Sequence, residues 1–163
     1  MGRKKLVNFV VTEYDDASEL KKSEQALLKR AFEASKDAYA PYSNFNVGAA
    51  LELEDGTIIT GNNQENAAYP SGLCAERVAI FAAGAQHPGK KVKALAITAN
   101  SIKIKVSSPI APCGACRQVL AEYEKRYSAP IKIILKGEEG KVLTIDSASS
   151  LLPLIFSRSS LGK

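Results

Sequence analysis

Three cysteines are the residues whose type and spacing most directly indicate chemistry in this sequence. Cys113 and Cys116 form a Cys-x-x-Cys pair, and Cys74 lies two residues before Glu76. Each group falls where a helix is predicted to begin after a loop, so the two paired sulfurs can face one side of their helix. The partial positive charge of a helix amino terminus favours thiolate over thiol. Because zinc binds cysteine thiolates in tetrahedral geometry, the two helix starts predict a three-cysteine zinc site.

The number of ligands separates a catalytic zinc site from a structural one. A structural site takes four protein ligands, but the chain has no fourth cysteine and a single histidine, His87. His87 falls in a predicted loop at the far end of the helix that begins near Cys74, and Glu76 is the nearest carboxylate that could close the site. Three protein ligands with an open position are typical of catalytic zinc, which the spacing therefore favours. Three separate buried thiols are the alternative without a metal.

Charged residues beside the cysteines indicate how such a site would work. Three thiolates outweigh the two positive charges of Zn²⁺, which opposes ionisation of a coordinated water, so a compensating cation is expected nearby. Arg77, three residues after Cys74, and Arg117, directly after Cys116, are the candidates. A surface salt bridge is the alternative role for either arginine, although Arg77 lies in an apolar helix. Glu76 is the candidate proton carrier, because a carboxylate near the water can accept its proton and return it to a leaving group.

Five segments of the sequence resemble one enzyme family. They are Pro41-Tyr-Ser-Asn-Phe-Asn-Val-Gly-Ala-Ala50, Asn63-Gln-Glu-Asn-Ala-Ala-Tyr69, Cys74-Ala-Glu-Arg77, Pro112-Cys-Gly-Ala-Cys-Arg-Gln118 and Leu151-Leu-Pro153. Together, over about residues 23–156, they resemble the small homotetrameric zinc-dependent cytidine deaminases of pyrimidine salvage. The broader class combines zinc with a glutamate that is not a ligand.

The resemblance implies a reaction and a cofactor. Cytidine and 2′-deoxycytidine would be hydrolysed to uridine and 2′-deoxyuridine with release of ammonia. One Zn²⁺ per chain would be held by Cys74, Cys113 and Cys116. Glu76 would protonate N3 of the cytosine ring as C4 is attacked and would then help ammonia to leave.

The resemblance also implies substrate contacts. Asn63 and Glu65 match residues that hold the ribose hydroxyl, and Phe45 matches a ring that packs beside the base. The backbone of Ala75 matches a contact to the pyrimidine edge. These residues imply a small-molecule nucleoside as the substrate.

An assembly with shared active sites is implied in the same way. Family members of this length are homotetramers whose active sites borrow residues from neighbouring subunits. Tyr69 and Phe156 match positions that reach across those interfaces. Ordinary core packing is the alternative for both side chains.

Hydrophobic periodicity and turn residues predict the elements that position these side chains. The first helix follows Ser23 as its N-cap and is ended by Pro41. The predicted strands are 46–54, 57–60, 92–98, 131–135 and 142–145, and the later helices are 75–83, 114–127 and 147–156. Residues 102–106 alternate lysine with apolar residues and could extend the third strand.

This order of elements predicts the fold class. Strands that alternate with helices indicate an α/β fold, here a three-layer α/β/α sandwich around a mixed five-stranded sheet. The link around Gly137-Glu-Glu-Gly140 is too short for a parallel crossover, so the last two strands must be antiparallel. The predicted domains are an amino-terminal extension, 1–22, without an assigned role, and a single catalytic domain, 23–163.

Length and composition restrict the partners. The chain has 163 residues, of which 45% are hydrophobic and 24% charged, as in an ordinary globular domain. Its 22 basic and 17 acidic residues give a formal net charge of +5, but no basic stripe with interleaved aromatics indicates nucleic-acid binding. No apolar run approaches the roughly 20 residues of a membrane helix, and an odd cysteine count without a signal peptide argues against disulfides. We therefore expect a cytoplasmic enzyme that binds neither nucleic acid nor membrane.

Three other functions share part of the pattern. Deaminases of RNA or DNA usually have a histidine at the position of Cys74 and a helix between the last two strands, so the sequence favours a free nucleoside. A deaminase of an antibiotic nucleoside such as blasticidin S shares the tetrameric fold, but Phe45, Asn63 and Glu65 favour ribose recognition. A catalytically silent zinc-binding module is the third alternative, and an intact Glu76 argues against it.

Overall fold

A computed structural model describes residues 2–162 of the chain. The strands are β1 (Thr12–Tyr14), β2 (Phe45–Leu53), β3 (Ile58–Asn62), β4 (Val92–Ser101), β5 (Lys132–Lys136) and β6 (Val142–Ile145), and the helices are α1 (Lys22–Ser35), α2 (Ala75–Gln86) and α3 (Gly114–Tyr127). Met1 and Lys163, the outer ends of the two predicted domains, lie outside the described residues. Within residues 2–162, no helix has the length and apolar character of a membrane span.

The strands form one mixed sheet in the order β1-β6-β5-β4-β2-β3. β4 and β5 are parallel, whereas β5 and β6 are antiparallel with Ile133 opposite Ile145, so the predicted α/β class and the direction of the last strands are confirmed. The predicted count of five strands is wrong. β1, which lies in the predicted extension, pairs with β6 and places Thr12 opposite Thr144. Its three residues follow an apolar stretch, residues 6–11, that does not alternate between polar and apolar side chains, so the sequence gives no strand signal there. They form a strand because they pair with the edge of β6.

Side chains of the sheet alternate between two hydrophobic clusters. In β4, Leu95 and Ile97 pack with residues of α2 and α3, whereas Ala94 and Ala96 pack with residues of α1. This period of two places α1 on one face of the sheet and the other two helices on the opposite face. The three-layer sandwich is therefore confirmed.

The boundaries of α1 differ from the prediction. The helix begins at Lys22, and the N–H of Lys21 donates to a carboxylate oxygen of Glu24 at 3.1 Å, so Ser23 is not the N-cap. It ends at Ser35, well before Pro41. The chain leaves the helix because the N–H of Tyr39 donates to the carbonyl of Asn63 at 3.0 Å, which draws this segment alongside the loop after β3.

Two other predicted elements are wrong in part. β4 ends at Ser101, and residues 102–106 form no strand. The predicted last helix is only a 3₁₀ turn, Ala148–Leu151. This turn is held by Glu124, whose carboxylate is buried and accepts the N–H groups of Ala148 at 2.8 Å and Ser149 at 2.9 Å. Long-range bonds of this kind leave no periodic signal in the sequence.

Two glycines allow helices to approach the sheet closely from both faces. A Cβ atom at Gly48 in β2 would overlap the carbonyl oxygen of Ala31 in α1. A Cβ atom at Gly61 in β3 would lie 2.7 Å from the carbonyl oxygen of Ala75 and 2.6 Å from the nitrogen of Ala79, both in α2. Because the opposing atoms belong to helix backbones, a side chain at either position would displace a whole helix.

We expect Gly48→Ala to lower the free energy of unfolding by about 1–3 kcal/mol or more, the cost typical of overpacking. Gly114→Ala is the matched control, because an added Cβ there meets no atom within 4 Å, and a change of at most about 1 kcal/mol follows from helix propensity. Urea denaturation of both variants measures the difference. Equal stability of the two variants would contradict the close approach of α1.

Candidate active site

The predicted site residues surround a cavity of about 660 Å³ near the amino-terminal ends of α2 and α3. Its lining includes residues from the loop after β3, from the start of α2 and from the loop before α3. Among the predicted site residues, the cavity is lined by Asn63, Glu65, Tyr69, Cys74, Glu76, Arg77 and Cys113. The fold therefore brings together side chains that are far apart in the sequence.

The three cysteine sulfurs form one cluster. Cys74 is the N-cap of α2 and Cys113 the N-cap of α3, and neither sulfur caps its own helix. The Sγ atoms of Cys74 and Cys113 are 3.8 Å apart, and those of Cys113 and Cys116 are 3.5 Å apart. All three Sγ atoms lie within 4.8 Å of one another. Two helix amino termini thus point at the same cluster of sulfurs, and their partial positive charges favour thiolates.

Hydrogen bonds distribute charge unequally within the cluster. A hydrogen bond with Cys116 lowers the pKa of Cys74 well below its usual value, and so does the hydrogen bond that Nη2 of Arg77 donates to Sγ of Cys74 at 3.6 Å. The pKa of Cys116 is raised, because it hydrogen-bonds to Cys74 and is buried. Ionisation of the Cys74 thiol therefore makes ionisation of the Cys116 thiol less favourable. A divalent cation that accepts thiolates removes this competition, so the donor set fits Zn²⁺.

Arg77 and Arg117 have different partners. The Arg77 side chain contacts the Cys74 sulfur, and this bond raises the pKa of the guanidinium. Arg117 instead donates from Nε to the carbonyl of Pro112 at 2.7 Å and from Nη1 to the carbonyl of Leu151 at 3.1 Å. Arg77 is thus the arginine placed to offset thiolate charge, and Arg117 joins the cysteine loop to the carboxy-terminal segment. No local sequence signal indicates that second contact.

Glu76 is a buried acid that faces the cavity. Only 4% of the residue is exposed, although it lines the cavity wall. Burial raises the pKa of its carboxyl, and the charge of Cys74 raises it further. A carboxyl group in this environment holds a proton more readily than a free glutamate does. Such a group suits proton transfer near neutral pH.

Hydrogen bonds hold the side chains of Asn63 and Glu65 in place. The partners of Asn63 lie in β2, and the partner of Glu65 lies just before it. The Asn63 amide accepts from the N–H of Val47 at 2.8 Å and donates to the carbonyl of Phe45 at 2.9 Å. Glu65 accepts from the hydroxyl of Ser43 at 2.5 Å, and this bond lowers the pKa of its carboxyl. Ser43, whose role the sequence alone did not indicate, holds the Glu65 carboxylate in place at the cavity wall.

Three predicted substrate residues do not line the cavity of the single chain. Phe45 is half-buried in β2, and Ala75 is fully buried at the start of α2, directly after Cys74. Phe156 is 61% exposed, and its carbonyl accepts from Nε2 of Gln118 at 2.8 Å. Tyr69 lines the rim but is 77% exposed and stacks edge-on against Tyr42. The exposed aromatic rings leave the outer side of the site open to solvent in one chain.

Comparisons with known proteins agree with this site. Residues 21–128 match the model of the cytidine and deoxycytidylate deaminase zinc-binding region, a range that contains all three cysteines. The cytidine deaminase of Halalkalibacterium halodurans is 44% identical over 133 residues, which are 81% of this chain and 92% of that protein. The cytidine deaminase of Sporosarcina psychrophila is 42% identical over 139 residues, which are 85% of this chain and 94% of that protein.

Solved structures of cytidine deaminases also resemble this chain in sequence and fold. The crystal structure of cytidine deaminase from Burkholderia pseudomallei is 44% identical, has a TM-score of 0.70 and covers 80% of this chain and 97% of its own. The crystal structure of cytidine deaminase from Mycobacterium leprae is 37% identical, has a TM-score of 0.61 and covers 80% of this chain and 98% of its own. Sequence, fold and the three-sulfur cluster agree, and the chain belongs to the cytidine deaminase family.

Proposed function

We propose that this chain is a zinc-dependent hydrolase that deaminates cytidine and 2′-deoxycytidine. The observation that carries the proposal is the buried carboxyl of Glu76, which lines the same cavity as two thiols of a three-thiol cluster that could hold one metal ion. In the reaction, an oxygen of water bonds to C4 of the base and the C4–N4 bond breaks. The products are uridine or 2′-deoxyuridine and ammonia, as in pyrimidine salvage. Cytidine deaminases named among the relatives support this reaction.

The metal ligands are proposed to be Cys74, Cys113 and Cys116. Their sulfurs lie within 4.8 Å of one another, which suits a single ion, and three protein ligands are typical of catalytic zinc. Zinc supplies a polarised water for attack when it is bound. Arg77 hydrogen-bonds to Cys74, and this contact would offset part of the negative charge of three thiolates and so would favour ionisation of a coordinated water.

Glu76 moves the protons. Its carboxylate accepts a proton from the attacking water and delivers it to N3 of the ring. The same group then takes the remaining proton from the hydroxyl now on C4 and delivers it to the amino nitrogen, so that the C4 carbonyl forms as the C4–N4 bond breaks and ammonia leaves. The burial that raises its pKa supports both roles, because the group must hold a proton between two steps and then release it.

Substrate placement is proposed for the residues around the opening. Glu65 is fixed by Ser43, and Asn63 is fixed by β2, so both can present polar atoms to the ribose hydroxyl without rearranging. Phe45 packs beside the base, and the Ala75 backbone contacts the pyrimidine edge. An antiparallel β5–β6 pair supports a free nucleoside over a polynucleotide.

A homotetramer in the cytoplasm completes the proposal. Tyr69, at the rim of the cavity, and Phe156, in the carboxy-terminal segment, are large and exposed, and aromatic side chains of this kind are enriched at interfaces. We assign them to contacts with neighbouring subunits that close the active sites. The free thiols are compatible with a reducing compartment.

The assembly predicts a mass of four chains of 17.4 kDa each. Light scattering at micromolar concentration measures this mass, and cytidine turnover of the same sample measures activity.

Tyr69→Ala should lower turnover, because the ring reaches a neighbouring site. A monomer that is fully active at the same concentration would contradict the shared site.

Removal of one ligand should remove the metal. We expect Cys113→Ala to bind zinc poorly and to unfold at a lower temperature, because binding energy at such a site contributes to folding. Lys103→Ala, in the exposed loop after β4, is the control and should keep one zinc per chain. Elemental analysis and thermal denaturation measure the two effects. Full zinc content in Cys113→Ala would exclude Cys113 as a ligand.

Glu76→Gln separates proton transfer from metal binding. The amide is nearly isosteric, so we expect zinc content and stability to persist while cytidine turnover falls by about 10⁴-fold or more, at or above the upper end of general acid–base effects. The loss of ultraviolet absorbance on adding cytidine measures turnover, with deoxycytidine and a cytosine-containing oligonucleotide as comparison substrates.

Glu122→Gln, a matched change on the exposed face of α3, should keep wild-type turnover. A zinc-replete Glu76→Gln enzyme within about tenfold of wild type would show that another residue moves the protons. Wild-type turnover of the oligonucleotide but not of either nucleoside would contradict the proposed substrate class.

A further inference from the structure

The segment before β1 exposes an unusual amount of apolar surface. Residues 3–11, here called the amino-terminal arm, are all exposed and belong to no helix or strand. Leu6 is 85% exposed, Val10 81%, Val7 53% and Phe9 46%. Contiguous exposed apolar side chains mark interaction surfaces. The arm is therefore a candidate surface for interaction with a partner.

The arm continues an open sheet edge. β1 is the outermost strand, and its one neighbour among the described strands is β6. β6 ends at Ile145, close to the point where Thr12 meets Thr144, so the arm extends past the end of its neighbour. Unpaired backbone groups at such an edge are a template for another strand. The partner is therefore expected to be an extended chain.

The charges at the two ends of this segment identify the strand that fits. Arg3-Lys4-Lys5 precedes the apolar residues, and Asp15-Asp16 follows β1. In an antiparallel pair of identical segments centred on Val10, the register brings Lys5 of each copy towards Asp15 of the other and Lys4 towards Asp16. Both aspartates lie in the bend after β1, where Asp16 also accepts from the N–H of Ser18 at 2.8 Å and Asp15 is 3.9 Å from Lys141. The opposite charges therefore attract at the two ends of the pair, just beyond the strand itself. We propose that the arm pairs with the arm of a second copy of this chain, around a two-fold axis at Val10.

The side chains between the charged ends also match in this register. Leu6 lies opposite Tyr14, and Asn8 lies opposite Thr12. On the other face Phe9 lies opposite Val11, an aromatic and β-branched pair of the type that stabilises sheets. One pair, Val7 with Glu13, is mismatched, and Glu13 already has an ion pair with Lys141.

Competing registers fit less well. In an antiparallel pair related by a two-fold axis, two facing residues lie on the same face of the sheet. The axis therefore passes through a residue, and each alternative register moves the axis by one residue along the strand. An axis at Phe9 places Asn8 opposite Val10 and Leu6 opposite Thr12, which mixes polar with apolar residues. An axis at Val11 places Asp15 opposite Val7 and leaves the lysines without partners. The register centred on Val10 therefore satisfies the most facing pairs.

This pairing does not depend on the proposed enzymatic activity, and its test does not use turnover. Single cysteines are placed in the full-length, zinc-loaded chain as Val10→Cys, Phe9→Cys and Asn8→Cys. At the axis, two copies of residue 10 have Cβ atoms about 4.5–5.5 Å apart, whereas two copies of residue 8 would be about 13 Å apart along the strands. Mild oxidation followed by non-reducing electrophoresis measures the rate of dimer formation, with the wild-type chain as the background.

We expect Val10→Cys to form dimers at least about tenfold faster than the other two variants at low micromolar concentration, because pairing raises the effective concentration of the facing thiols. Equal rates, as for free arms or for arms that bind a lipid surface or another protein, would overturn the proposal. Faster reaction of Phe9→Cys or Asn8→Cys would overturn the register.

A charge swap tests the ends of the pair. In the Val10→Cys background, Lys5→Asp should slow dimer formation by placing like charges opposite one another, and Lys5→Asp combined with Asp15→Lys should restore the rate. Failure of Lys5→Asp to slow the reaction, or failure of the swap to restore it, would overturn the proposed pairing.

Discussion

The crowding of three thiol groups is the physical constraint on which the rest of the site depends. The sulfurs of Cys74, Cys113 and Cys116 lie within 4.8 Å of one another, a separation at which three thiolates repel strongly without a cation. Two helix amino termini and Arg77 reduce this repulsion but do not remove it, since the pKa of Cys116 rises as that of Cys74 falls. A divalent ion held by all three sulfurs would offset this repulsion, and the donor set fits Zn²⁺.

Helix α2 links this constraint to the reaction. Within four residues its amino-terminal end presents the sulfur of the N-cap Cys74, the buried acid Glu76 and the cation of Arg77. A small displacement of the helix would therefore move the proposed ligand, the proposed proton carrier and the proposed compensating charge together. Gly61 in β3 contacts the backbone of α2 without an intervening side chain, and this contact fixes the depth at which the helix lies on the sheet.

Much of the site could be predicted from the sequence because its chemistry is locally encoded. The spacing of Cys113 and Cys116 at a helix start is a short-range pattern, and α3 has the predicted bounds of 114–127. The features that were missed depend on distant partners. The bond from Ser43 to Glu65 joins two loops, and β1 is a strand only because β6 offers it an edge. Neither feature has a periodic signal of its own.

We propose that three sulfurs from two helix starts bind a single zinc ion and leave one coordination position open. X-ray absorption at the zinc K edge of the purified, full-length protein tests it directly. We expect about three sulfur neighbours at about 2.3 Å and one lighter atom at about 2.0 Å, the distances typical of thiolate and of nitrogen or oxygen ligands. Four sulfur neighbours, or a shell made mainly of nitrogen and oxygen, would contradict it.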